Sequence, residues 1–153
     1  VLAEHGVGEL IKRAAAKQAP LEFARADALL AAGKQVFGEA PDEAARVNAA
    51  LIDLIGSASG FEKPILAHAA AELAMVRCDR AMLEQAIAMT DAPGSLRYAF
   101  WQARLSGSVL PLIARVRAVS EDSDTRYVRQ ALDGYRAILE FGYCGAAEDP
   151  LGS

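Results

Sequence analysis

Pro64-Ile65-Leu66-Ala67-His68-Ala69-Ala70-Ala71-Glu72-Leu73-Ala74-Met75-Val76 is a run of apolar residues and alanine that only His68 and Glu72 interrupt. A helix that is apolar on every side belongs in a protein interior, so this segment is read as the centre of the fold. Pro64 suits a first helical turn, and nothing breaks the pattern before Met89, so the spacing predicts one unbroken helix over 64–89. At about 100° per residue, Ile65, Ala69, Val76, Leu83 and Ile87 form its main stripe. Ala67, Ala70, Ala74, Ala81 and Ala88 make a smooth opposite face that another backbone can approach.

The same three-to-four spacing of apolar residues recurs along most of the chain, and alternating runs of β-branched and aromatic residues are missing, which predicts an all-α protein. Upstream, helices are expected over Val7–Gln18, Leu21–Phe37 and Pro41–Ile55. Gly38 would end the second of these in a left-handed turn, and Val47, Leu51, Leu54 and Ile55 would be the inner face of the third. Downstream, Thr90-Asp91-Ala92-Pro93-Gly94 signals a turn, followed by helices over about 95–105, 109–119 and 125–141. Short connections and single apolar stripes favour a compact bundle of about seven helices in one domain, 1–141, with a flexible tail over 142–153. A faint echo between Arg25–Leu30 and Arg77–Leu83 is too short to indicate a repeat architecture.

With 153 residues the chain has the length of one domain, and 53% hydrophobic against 24% charged residues excludes disordered and collagen-like classes. A net charge of −4 with both signs interspersed gives no basic field for a phosphate backbone, so no nucleic acid partner is expected. The apolar runs are too short for a bilayer span, so no membrane partner is expected either. The first twenty residues have no apolar block of the secretory kind, which points to the cytoplasm. Twelve arginines against four lysines, with 33 alanines, suggest a GC-rich bacterial genome. The start at Val1 and the end at Leu151-Gly152-Ser153 are compatible with a piece of a longer protein.

Chemistry-bearing residues are few. His68 and Glu72 lie one helical turn apart, where a carboxylate can hold an imidazole in one tautomer, so the pair is a candidate acid/base site; a core or surface ion pair is the competing reading. Arg97, Trp101 and Arg104 follow a helical stripe, and Arg115 lies on the next helix; guanidinium groups around an indole suit an anion or a planar aromatic ligand. The competing reading puts the aromatics in the core, with the arginines lying along them. Two cysteines, Cys78 and Cys144, are too few for a scaffold or a closed metal site and are expected as free thiols, although Arg77 and Arg80 flank Cys78. Metal, phosphate-loop, nucleophile-elbow and deaminase motifs do not occur, and no cofactor is identified. The leading expectation is a non-catalytic helical module that binds a small anionic or aromatic ligand or a partner helix. The alternatives are a helical enzyme domain using His68 and Glu72, and a dimerisation or accessory domain, which makes a homo-oligomer a further possibility.

Overall fold

The computed structural model describes residues 2–16, 24–106, 112 and 114; among these, every regular element is an α-helix. The protein is all-α, with α1 over Leu2–Ala15, α2 over Arg25–Phe37, α3 over Pro41–Ser57, α4 over Glu62–Val76, α5 over Arg80–Ala88 and α6 over Leu96–Ser106. Gly6, at φ 78°, kinks α1, so regular helix runs from Val7, where the sequence places its start. Val7, Leu10 and Ala14 turn inward at helical spacing. Pro41 opens α3, with Asp42 and Glu43 near the positive end of the helix dipole. Its expected inner face, Val47, Leu51, Leu54 and Ile55, is buried. Gly38, expected to be left-handed, has φ −65° and ψ −33°. The chain keeps helical dihedrals through this short turn, and the amide of Ala40 donates to the Val36 carbonyl at 2.7 Å, so α3 follows without a reversal of hand.

The alanine-rich helix is the hub of its neighbours: α4 packs against α2, α3 and α5, while α1 lies on α2 and α3. Leu66, Ala67, Ala69, Ala70, Ala71, Leu73 and Ala74 are all buried. The two expected faces behave differently in the two halves of the segment: in α5 Leu83 and Ile87 of the main stripe are buried and Ala81 and Ala88 exposed, whereas in α4 the small-residue face is inside. Ala67, Ala70 and Ala74 are fully buried, whereas Ile65 is 53% exposed. In α4 the smooth alanine face takes the close backbone packing that its small side chains allow, and Ala69 of the main stripe is buried as well. Gly33 makes the same kind of approach from α2: a methyl group there would lie 2.5 Å from Cδ2 and 2.9 Å from Cδ1 of the fully buried Leu73. In an exposed helix Gly→Ala gains about 1 kcal/mol of propensity. At this site overpacking costs about 1–3 kcal/mol. Gly33→Ala is therefore expected to lower stability by up to about 2 kcal/mol in urea unfolding, and an increase would show that Leu73 can move aside.

The expected helix over 64–89 is two helices. The amide of Asp79 donates to the Ala74 carbonyl at 2.9 Å and that of Cys78 to the Met75 carbonyl at 3.2 Å, the paired bonds of a Schellman ending. Cys78 takes the left-handed position, at φ 61°, where glycine is usual. Asp79 then caps α5, its carboxylate accepting from the Met82 amide at 3.1 Å. Arg77 ties the corner down, donating to Asn48 Oδ1 at 2.8 Å while lying 3.4 Å from Asp79 Oδ2. Asn48, fully buried on α3, also donates to the Ala70 carbonyl at 3.0 Å. With no glycine or proline at the break, only the N-cap signal of Asp79 was available to mark it.

The chain divides into two compact units, Val1–Asp91 and Ala92–Ser153, each described by itself, and the boundary falls within the expected turn at 90–94. In the second unit, Leu96 and Phe100 of α6 pack on Ala99, Ala103 and Leu112. Leu112 and Ala114 are helical, within the helix expected over 109–119. The rest of that helix, the helix expected over 125–141 and the tail 142–153 lie outside the described residues.

Candidate functional site

One arc of α4 is left open. Phe61 at its N-cap, Ile65, His68, Glu72, Met75 and Val76 are exposed or partly so, while the turns between them are buried. These positions recur at spacings of about one helical turn and share one side of the helix over four turns, roughly 22 Å. Phe61 is 92% exposed and Ile65 53%, two large apolar neighbours in water. The second half of the arc is polar. His68 Nε2 lies 4.0 Å from Glu72 Oε1, and Glu72 Oε2 is paired with Lys34 of α2.

This geometry modifies the acid/base reading. The sequence placed His68 and Glu72 side by side, and they are neighbours. At 4.0 Å, however, the two are ion-paired at most and not hydrogen-bonded, and the carboxylate also serves a lysine 38 positions upstream that sequence spacing could not reveal. His68 keeps 33% of its side chain exposed and Glu72 24%, so the imidazole is not sealed in the core.

On α6 the ligand candidates separate. Trp101 is buried at 9% exposure and meets Tyr98 edge to face, ring centroids 5.4 Å apart at 65°. Arg97 is exposed and Arg104 partly buried, whereas the indole between them is covered. Arg115 lies outside the described residues. Cys78 is disulfide-bonded, which corrects the expectation of a free thiol there; Cys144 lies outside the described residues.

The strongest polar site is one the sequence reading missed. Arg25, 1% exposed, holds Glu62 through two hydrogen bonds of 2.5 and 2.6 Å and donates to the Ala14 carbonyl at 3.1 Å. Ala14 stands in the last turn of α1, where carbonyls have no intrahelical donor, so one guanidinium joins the end of α1, the start of α2 and the first turn of α4. The echo between Arg25–Leu30 and Arg77–Leu83 marks the two arginines that anchor helix ends, but they stand at opposite ends of their helices and so do not form a repeat.

Among the described residues no group of three or more His, Cys, Asp or Glu could hold a metal ion, and no helix is long and apolar enough to cross a membrane. Compared with family models, curated proteins and solved structures, the chain gives no match.

Proposed function

We propose that the chain is a non-catalytic helical module that docks a partner helix along the open arc of α4. One observation carries this reading: Phe61 and Ile65, two large apolar side chains one turn apart, stand in water on a helix whose opposite side is buried. Amphipathic helices are received by anchors at such spacing, and adjacent large apolar side chains in water are a cost that docking removes. Of the two ligand classes in the sequence expectation, the partner helix is the one we retain. A planar ligand would need access to Trp101, which is buried at 9% exposure beside Tyr98.

The test is selection from a displayed library of amphipathic helical peptides, followed by hydrogen exchange on the complex. Selected peptides should slow exchange over 61–76 and lose binding to the Ile65→Asp protein. Peptides that protect other segments, or bind that variant equally, would count against the reading.

A second reading, an enzyme domain with His68 as acid or base and Glu72 beside it, is favoured by the partial exposure of the imidazole. Turnover of activated esters that disappears in His68→Ala would support it, and equal rates in both proteins would remove it. For location, the sequence points to the cytoplasm, whereas the bonded Cys78 points to an oxidising compartment, where disulfides persist. Alkylation of thiols in intact cells separates the two: a blocked Cys78 supports the oxidising compartment and a reactive one the cytoplasm.

A further inference from the structure

We draw no further inference here: the strongest candidate, the open arc of α4 with Phe61 and Ile65 in water, belongs to the docking surface already described, and nothing in the structure shows what covers it.

Discussion

Glu62→Ala is expected to lower the unfolding free energy by about 3 kcal/mol, the lower end of the roughly 3–5 kcal/mol seen when one member of a buried ion pair is removed. The asymmetry of the pair sets this value. Glu62 keeps 25% of its side chain in contact with water, but Arg25 keeps only 1%, so the guanidinium loses its charge partner while largely desolvated. The guanidinium would be left with the Ala14 carbonyl as its remaining acceptor among the bonds described above. The cost arises from the stranded charge and not from the attraction itself, so Arg25→Met placed on the Glu62→Ala background should recover most of the loss. Recovery should stop about 1 kcal/mol short, because the Ala14 carbonyl then loses its donor at the end of α1. Urea unfolding at constant slope measures all three proteins. If Glu62→Ala proves as stable as wild type, the guanidinium is not held in the place described.

Trp101→Ala is expected to cost about 3–5 kcal/mol in the stability of the unit that begins at Ala92, as for other large aromatic-to-alanine changes in cores. The indole is 9% exposed and engages Tyr98 edge to face, so truncation removes both buried area and an aromatic pair. Arg97→Ala, on the exposed side of the same helix, should change stability by less than about 0.5 kcal/mol. Paired thermal melts compare the two readings of this helix. A large loss at Trp101 with none at Arg97 marks the indole as a packing residue, whereas a small loss at Trp101 would return it to the ligand-binding candidates.

The two expectations for α6 show how far spacing can be read. Arg97, Trp101 and Arg104 follow a helical stripe in the sequence, and the helix is there, but a stripe of mixed chemistry does not say which of its members faces inward. The indole and the guanidinium sit four residues apart, and a small rotation of the helix decides which one is covered. His68 and Glu72 were legible because both lie on one helix at a fixed spacing. Lys34, the third member of that cluster, belongs to α2, which approaches α4 closely at Gly33 and Leu73. The pairing of Arg25 with Glu62 was hidden for the same reason: 37 positions separate partners that only the packing of α2 against α4 brings together.

Local patterns were enough to establish that the chain is helical, that Pro41 opens a helix with Val47, Leu51, Leu54 and Ile55 inside, and that the alanine-rich segment is a buried hub. These follow from apolar periodicity and end signals, which act over a few residues. Packing alone decided which face of α4 is innermost, which arginine is sealed in, and that Phe61 and Ile65 remain in water. Each of those depends on how closely two backbones approach, and that distance is set by side chains far apart in sequence acting at the same time.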